Sequence, residues 1–233
     1  MLGSAQAQMF ELSRERMLAY TPENPYPRFA DGRPKVPDEI LKAVEKLAVD
    51  RVVDVLREAG YPHQFAGGFR VLHPGQKLVG RAFTAQYLPL RPDVEKILVE
   101  ESERRGENPR TNNKVIDRLD RGDVAVIDLM SPIPGNNFGG DNLHAALYGA
   151  TGTGAVVEGT IRDLEGIYEL PSQVYFRDAH PAAVGGVSVI GINVPVRIGP
   201  AMVMPGDVVL GDRTGVVFIP PQMVRKVLEA SRP

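Results

Sequence analysis

Acidic and basic side chains stand at two points where the chain is predicted to enter a helix. Gly139-Gly140 precede Asp141 at one helix start, and Arg162-Asp163 follow an apolar run at another. The first turn of a helix carries backbone N–H groups without partners, so each position is a ready anion site. If both junctions follow adjacent strands of one sheet, their loops converge where α/β proteins usually bind ligands. Two carboxylates, one guanidinium and several amides would then face one pocket.

Each of these residues also has a simpler structural interpretation. A lone Asp after glycines, such as Asp141, is more often an N-cap, and Arg162 with Asp163 could form an ordinary ion pair at a helix start. The functional hypothesis therefore depends on all three together. Glu158 and Glu165 lie near them in the sequence, and either a supporting role in the site or a solvated position is open for both.

Other motifs favour structural roles. The four histidines stand far apart, so we expect surface or hydrogen-bonded side chains rather than catalysts or metal ligands at His63, His73, His144 and His180. The glycine-rich run 149–154 follows a helix and precedes a strand, the reverse of a dinucleotide fingerprint, which predicts a helix cap and a turn. Three aspartates beside glycines are expected to serve turns: Asp123, Asp207 and Asp212.

Composition narrows the class of protein. The 233 residues are 43% hydrophobic and 24% charged, as in ordinary globular chains, with a net charge of -2. The absence of cysteine excludes disulfides, thiolate zinc sites and a cysteine nucleophile. The charge gives no reason to expect nucleic acid or an anionic membrane as a partner, and no apolar run is long enough for a membrane span. With no signal-peptide pattern at the start, we expect a cytoplasmic protein.

Helices and strands are both predicted around the candidate residues. Helical periodicity begins at Pro37 and runs as two helices, or one broken helix, to Gly60. Further helices are predicted at 93–105, 142–149, 162–170 and 221–230. Short β-branched or apolar runs predict strands at 69–72, 78–87, 124–129, 155–158, 173–176, 187–194 and 208–217. The pattern predicts a mixed α/β domain with helices on the faces of its sheet.

The first part of the chain is predicted to form an arm. Residues 1–36 include a helical pattern from Met9 to Leu18 and a proline-rich stretch at 20–27 that forbids regular structure. Apolar side chains such as Phe10 are too frequent for a solvated tail. They favour packing of the arm on the domain formed by 37–233, or on a neighbouring subunit.

The spacing of Asp141 from Arg162-Asp163, with twenty residues between them, resembles the motif of the RraA-like family. Enzymatic members of that family include 4-hydroxy-4-methyl-2-oxoglutarate and 4-carboxy-4-hydroxy-2-oxoadipate aldolases. The resemblance extends from about residue 47 to residue 230 and includes segments 53–56, 74–84, 122–128 and 205–220. The arm and the charged stretch 91–113 are longer than the family pattern. Part of that stretch, 100–113, is predicted to be an exposed helix end and loop.

The resemblance implies a fold, an assembly and a set of site residues. The fold would be a swivelling β/β/α sandwich, assembled as a homotrimer or homohexamer with active sites at subunit interfaces. Asp141 and Asp163 would hold Mg²⁺ or Mn²⁺ largely through water, and Arg162 would bind a small 2-oxo acid. The residues implied to contact this substrate are Arg162, Gly140, Asn142 and Leu143. Such enzymes also use an acidic residue of a neighbouring subunit, which is not matched to any position here.

The chemistry of carbon–carbon cleavage agrees with this assignment. Retro-aldol cleavage of a 4-hydroxy-2-oxo acid, or decarboxylation of oxaloacetate, leaves pyruvate enolate, whose oxygen needs positive charge as the bond breaks. Enzymes supply that charge with a lysine Schiff base or with a Lewis-acid cation. All seven lysines lie outside the segment 136–167, and a hard divalent ion suits oxygen ligands. We therefore expect a divalent-metal-dependent, class II aldolase.

Two other functions stay open. The family's namesake regulates a ribonuclease by binding it and lacks the complete acid pair, whereas both carboxylates are present here, which favours an enzyme over a non-catalytic regulator. A related lyase, such as a sugar-acid dehydratase, could use the same metal and arginine.

Overall fold

Twelve strands are found in the part of the chain that the structure, a computed structural model, describes: residues 10–109, 112–130 and 137–230. They are β1 (Phe10–Glu11), β2 (Phe65–Ala66), β3 (Arg70–Val71), β4 (Leu78–Pro89), β5 (Asp123–Asp128), β6 (Gly154–Ile161), β7 (Gln173–Ala179), β8 (Val187–Ile192), β9 (Val196–Ile198), β10 (Ala201–Val203), β11 (Val208–Gly211) and β12 (Val216–Ile219). One sheet has the order β2-β12-β11-β4-β5-β6-β7-β3, with β8 paired to both β4 and β1. β9 and β10 form a separate hairpin.

Helices pack against this sheet in two groups. They are α1 (Arg14–Tyr20), α2 (Asp38–Val44), α3 (Val49–Glu58), α4 (Pro92–Arg104), α5 (Asn113–Ile116), α6 (Asp141–Thr151), α7 (Leu164–Tyr168) and α8 (Val224–Ala230), the last preceded by a 3-10 turn at Pro221–Met223. Helices α4 to α7 share an apolar core with the centre of the sheet, whereas α2, α3 and α8 pack on β11 and β12. The mixed α/β class is therefore confirmed. None of the helices in these ranges combines the length and the apolar character that a membrane crossing requires.

The centre of the sheet is parallel. β4, β5, β6 and β7 run side by side in one direction, and every residue of β5 is buried. Such two-sided burial explains why these strands read as continuous apolar runs in the sequence. β5 and β6 are direct neighbours, with Asp128 paired to Glu158 near their carboxyl ends. The segments that follow them lead into α6 and α7, so the adjacency on which the candidate site depends is confirmed.

The prediction of one strand over 208–217 is wrong. The run contains two antiparallel strands, β11 and β12, and Gly211 pairs with Val216 across the turn. Asp212 makes the reversal, because its Oδ1 accepts the Thr214 N–H at 2.8 Å. Its Oδ2 also accepts the Val49 N–H at the start of α3, at 3.1 Å. The turn role expected of Asp212 is therefore confirmed.

The first described residues differ from the helix predicted from Met9 to Leu18. Phe10 and Glu11 form β1, which pairs in parallel with β8, and Met9 lies outside the described residues. The helix begins later because Ser13 is its N-cap, with Oγ accepting the Arg16 N–H at 3.2 Å. The other predicted helices are confirmed, and the region between Pro37 and Gly60 holds two.

The arm packs on the domain of its own chain through a buried ion pair. Arg33 donates from Nη1 and Nη2 to the Asp123 carboxylate, at 2.7 and 3.0 Å. Asp123 also accepts the Asp120 N–H, so its turn role is confirmed but accounts for only part of its contacts. Burial raises the pKa of Asp123, and the charge of Arg33 opposes that shift. The division of the chain at residue 36 stays a prediction.

The prediction of an exposed helix end and loop over 100–113 is wrong for several residues. Glu101 and Ser102 at the end of α4 are buried, and so is Asn112. Their polar atoms have partners: Ser102 Oγ donates to the Leu98 carbonyl, and Asn112 donates to the Phe138 carbonyl. Satisfied polar groups can be buried at little cost, which composition does not reveal. Residues 110 and 111 lie outside the described part.

Candidate active site

Helix α6 begins at Asp141, directly after two glycines, as predicted. A side chain at Gly139 would lie 3.0 Å from Leu143 Cβ, and one at Gly140 would overlap the Asp163 carboxylate. Only glycine permits so close an approach of the backbone at position 140. The glycine pair therefore brings the first turn of α6 against the segment that follows β6.

Arg162 and Asp163 lie in the connection between β6 and α7. The Arg162 N–H donates to the Gly139 carbonyl at 3.1 Å, which ties this connection to the one that precedes α6. Asp163 has left-handed dihedral angles, φ 56° and ψ 42°, and therefore stands outside the helix as its N-cap. Such a conformation costs a residue with a Cβ atom about 1–3 kcal/mol and persists only where the surrounding structure holds it. It also explains why the helix predicted from 162 begins at Leu164.

The structure brings Asp141, Arg162 and Asp163 together. Asp163 Oδ2 lies beside Gly140 and 3.2 Å from Arg162 Nε. The Asp141 side chain lies against α7, where a Cβ at Gly166 would be 2.8 Å from Asp141 Oδ2. Each carboxylate thus contacts the element that carries the other. Gly166 was not singled out from the sequence, although a glycine inside a helical pattern is a signal for such close packing.

The charged groups of this cluster remain accessible. The side chains of Arg162 and Asp163 are 34% and 44% exposed. Arg162 Nε itself is buried, and its contact with Asp163 lacks the geometry of a hydrogen bond. The Asn142 N–H donates to Asp141 Oδ1 at 2.7 Å, so a ligand carboxylate would have to displace Asp141 from that amide. The arrangement can bind a small anion that meets the exposed guanidinium and the first turn of α6.

The sequence profile of the RraA-like family, described as Aldolase/RraA, matches residues 49–218. The chain belongs to the RraA-like family. The matched segment contains all three charged residues of the cluster, and the family indicated by their spacing is confirmed.

Three similar proteins show what this family contains. DlpA of Legionella pneumophila is 29% identical over 167 residues, which is 70% of this chain and 25% of DlpA. A Halalkalibacterium halodurans protein, whose name gives 4-hydroxy-4-methyl-2-oxoglutarate aldolase as a provisional activity, is 32% identical over 111 residues, 48% of this chain and 52% of that protein. The crystal structure of Streptomyces coelicolor RraAS2, an unusual member of the RNase ES inhibitor RraA protein family, has a TM-score of 0.71 at 24% identity, over 88% of this chain and 93% of that chain.

These similarities support different statements. The match with RraAS2 shows the fold, so the predicted RraA-like architecture is confirmed. The matches span about half or less of the length of the two sequence relatives. Because the RraA-like family includes both metal-dependent aldolases and RraA regulators, membership leaves the activity to be argued from the site.

The donors of the RraA-like cluster fit one class of metal ion. No group of three or more His, Cys, Asp or Glu side chains within the described ranges could enclose a metal. Asp141 and Asp163 offer carboxylate oxygens only, one at the start of α6 and one just before α7. Mg²⁺ keeps several of its waters and is often held by one or two carboxylates, whereas a structural zinc site needs four protein ligands, usually nitrogen or sulfur. The cluster therefore fits a largely hydrated hard divalent ion.

The expectation for the histidines is wrong for His144. It lies on α6, is fully buried, and neither ring nitrogen has a hydrogen-bond partner. Its ring meets Phe138 edge-on, with the ring centroids 6.0 Å apart. Burial lowers the pKa of His144 to about 4, so the ring is neutral. The sequence pattern of α6 did not predict this burial, because histidine occurs on both the buried and the exposed face of helices. The other histidines agree with the expectation: His73 and His180 are hydrogen-bonded, and His63 is exposed.

Glu158 supports the fold rather than the cluster. Its carboxylate accepts Arg177 Nη2 at 2.7 Å and the Gly199 N–H, beside the β9–β10 hairpin, at 3.0 Å. Glu165 is exposed on α7. Sequence analysis also missed Asp128, which is buried and accepts the Met130 N–H where the chain leaves β5. An acidic residue that ends a fully apolar strand was the available signal.

Proposed function

We propose that this protein is a divalent-metal-dependent aldolase that cleaves 4-hydroxy-2-oxo acids to release pyruvate, with oxaloacetate decarboxylation as a second activity. The observation that carries the proposal is the meeting of two carboxylates and one accessible guanidinium at the starts of α6 and α7. The activity in the name of the Halalkalibacterium halodurans relative supports the same reaction class.

Each residue has a separate task in this proposal. The planar fork of Arg162 binds and orients the 2-oxo acid. The backbone amide of Leu143 receives the substrate carboxylate, joined by that of Asn142 once Asp141 Oδ1 has been displaced from it, with Gly140 beside them. Asp141 and Asp163 would hold Mg²⁺ or Mn²⁺. When bound, such an ion supplies positive charge to the oxygen that becomes negative as the carbon–carbon bond breaks.

The remaining expectations belong to the same proposal. We expect a homotrimer or homohexamer in the cytoplasm, in which a neighbouring subunit completes the site with an acidic residue. The exposed sides of Arg162 and Asp163 leave room for such a contribution. Residues from that subunit would also meet the group on the far carbon of the substrate and so set its identity.

The experiment is a pyruvate assay coupled to lactate dehydrogenase. The substrates are oxaloacetate and 4-hydroxy-4-methyl-2-oxoglutarate, with Mg²⁺ or Mn²⁺ and then with EDTA. We expect turnover that requires the metal, and a loss of at least about 100-fold in Asp163→Ala, because the carboxylate that holds the charge is removed.

A matched control separates this effect from the loss of any surface charge. Asp54 is 48% exposed and pairs with Arg57, much as Asp163 is exposed and lies beside Arg162. Asp54→Ala should keep its activity. Activity that persists in EDTA or in Asp163→Ala would contradict the metal assignment. Absence of pyruvate from every 2-oxo acid would instead favour a ribonuclease-binding regulator, and turnover of sugar acids alone a dehydratase.

A further inference from the structure

A cavity lies between the arm and the part of the domain around β10 and the turn before α8. It has a volume of about 350 Å³, within the range of small-molecule sites. The arm provides one wall with Tyr20–Glu23, and the residues around β10 and the turn before α8 provide the others. No described residue of α6, α7 or the connections before them lines it, so it is separate from the proposed active site.

The lining combines apolar and acidic groups. Its apolar part includes Tyr20, Tyr61, Met202, Met204 and Pro221. Its charged side chains are Asp207 and Glu23, and no lysine, arginine or histidine is found among the described lining residues. A cavity with carboxylates, aromatic rings and no cation has the electrostatic character that attracts a positively charged ligand.

Two largely buried acceptor groups belong to this lining, and one of their oxygens lacks a donor. Asp207 is only 3% exposed, and its carboxylate accepts the Met204 N–H at 2.8 Å, as the predicted turn requires. No cation within the described ranges pairs with it, and burial raises its pKa to about 7. Gln64 Oε1 is buried in the same lining without a hydrogen-bond partner. A buried acceptor without a donor, such as Gln64 Oε1, costs free energy that a donor from a ligand would recover.

We propose that this cavity binds a small organic cation, an ammonium group joined to a compact apolar or aromatic body. The ammonium donates hydrogen bonds to Asp207 and Gln64, which removes the unmet demand for donors. The apolar body packs against Tyr61 and Met202, and the tyrosine rings add cation–π attraction. The arm thereby acquires a role in ligand binding, because Tyr20 and its neighbours close one side.

Other ionisable groups around the cavity do not compete for this role. Glu23 adds negative charge, and Tyr20 and Tyr61 bring no positive charge to the lining. Arg28 lies behind Thr21, and its terminal nitrogens already donate to Thr21 and Gly32 at 2.6–2.7 Å. Asp207 is therefore the group whose charge changes near neutral pH, and its ionisation should strengthen binding of a cation as the pH rises from 6 to 8.

The test compares two probes of nearly equal shape, 2-phenylethylamine and 2-phenylethanol. Isothermal titration calorimetry with the full chain at pH 8 should show saturable binding of one amine per chain, with the alcohol at least about tenfold weaker. The amine should bind more weakly at pH 6. Equal affinity for both probes, or no saturable binding of the amine in the millimolar range, would overturn the proposal.

Variants locate the binding. Asp207→Asn keeps an acceptor for Met204 but removes the charge, and should weaken the amine about tenfold. If this buried variant fails to fold, as circular dichroism would show, Tyr20→Ala tests the cavity instead, because Tyr20 is 60% exposed. Its control is Tyr168→Ala, a tyrosine of 58% exposure outside the cavity. If a folded cavity variant bound the amine with unchanged affinity, the proposed binding site would be wrong. Asp163→Ala lies outside the cavity and should bind the amine with wild-type affinity, whatever its effect on pyruvate release.

Discussion

Two arginine–aspartate pairs in this protein have the same chemistry and opposite surroundings. Arg162 Nε lies 3.2 Å from Asp163 Oδ2, and the two side chains are 34% and 44% exposed. Arg33 Nη1 lies 2.7 Å from Asp123 Oδ1, with side chains 1% and 0% exposed. The first pair is formed by adjacent residues at a helix start, and the second joins residues 90 positions apart.

The difference shows when an ion pair serves the fold and when it can serve a ligand. Arg33 bonds Asp123 with two nitrogens, and its guanidinium carbon lies 4.1 Å from the centre of the Phe29 ring. Because the Arg33 side chain is also buried, its guanidinium is not accessible to a ligand. Nε lacks a hydrogen-bond partner in both arginines, but only Arg162 presents part of its fork to solvent. Burial and two hydrogen bonds to one carboxylate anchor the arm through Arg33, whereas exposure leaves the Arg162 guanidinium available to bind an anion.

The largest expected effect is on turnover. Arg162→Ala should lower kcat/KM for the 2-oxo acid by about 10²–10³-fold, because the group that binds and orients it is lost. Stability should change by less than about 1 kcal/mol, since exposed ion pairs contribute little. Steady-state kinetics and urea unfolding of the same preparation measure both. Near-normal kinetics would remove Arg162 from the site and break the comparison.

The buried pair should give the opposite result. Arg33→Ala leaves the Asp123 carboxylate buried without its partner, so we expect a loss of about 3–5 kcal/mol in the free energy of unfolding. Urea denaturation followed by circular dichroism measures it. Arg57→Ala, which breaks the exposed pair with Asp54, is the control and should cost less than about 1 kcal/mol. Equal stabilities of the two variants would show that burial does not distinguish the pairs.

A smaller effect is expected on the pH dependence of stability. It comes from His144, a titratable side chain that is buried like Arg33 and Asp123 but has no hydrogen-bond partner. Burial lowers the pKa of His144 to about 4, whereas an unfolded chain protonates histidine near its ordinary pKa of 6.5. Between these values the unfolded state binds more protons, so stability falls as the pH drops from about 6.5 to about 4, by roughly 3 kcal/mol in total.

His144→Leu should lose this pH dependence, because the side chain no longer titrates. Thermal or urea unfolding at several values between pH 4 and 7 measures the slope. His63→Leu, at an exposed histidine, should keep the wild-type slope. If the slope persists in His144→Leu, another group controls the acid stability.

Local signals were sufficient for much of the candidate site. Glycines before Asp141 and an apolar run before Arg162 mark two strand-to-helix junctions within a few residues. The sequence analysis had to assume that the two junctions follow neighbouring strands, and the parallel pairing of β5 with β6 confirms that assumption. The left-handed backbone of Asp163 could not be predicted, because it depends on the contact with Gly140 that the fold creates.

Contacts between distant segments were beyond local patterns. The sequence separation of Arg33 from Asp123 hides their pairing, and a turn role was visible only for the aspartate. The run 208–217 looked like one strand because apolar, β-branched residues stand at both of its ends, on either side of the turn at Asp212. The acid-rich cavity likewise depends on the arm meeting residues almost 200 positions later.

The two-residue strand β1 has a consequence for solubility. One side of β8 is paired with β4, and β1 pairs with the other side through Phe10 and Glu11. An uncovered edge of this kind would present free backbone donors and acceptors to any other sheet and invite aggregation. The arm therefore covers the edge of β8 at Gly191 and Ile192, which reduces the chance that another copy of the chain pairs with it there.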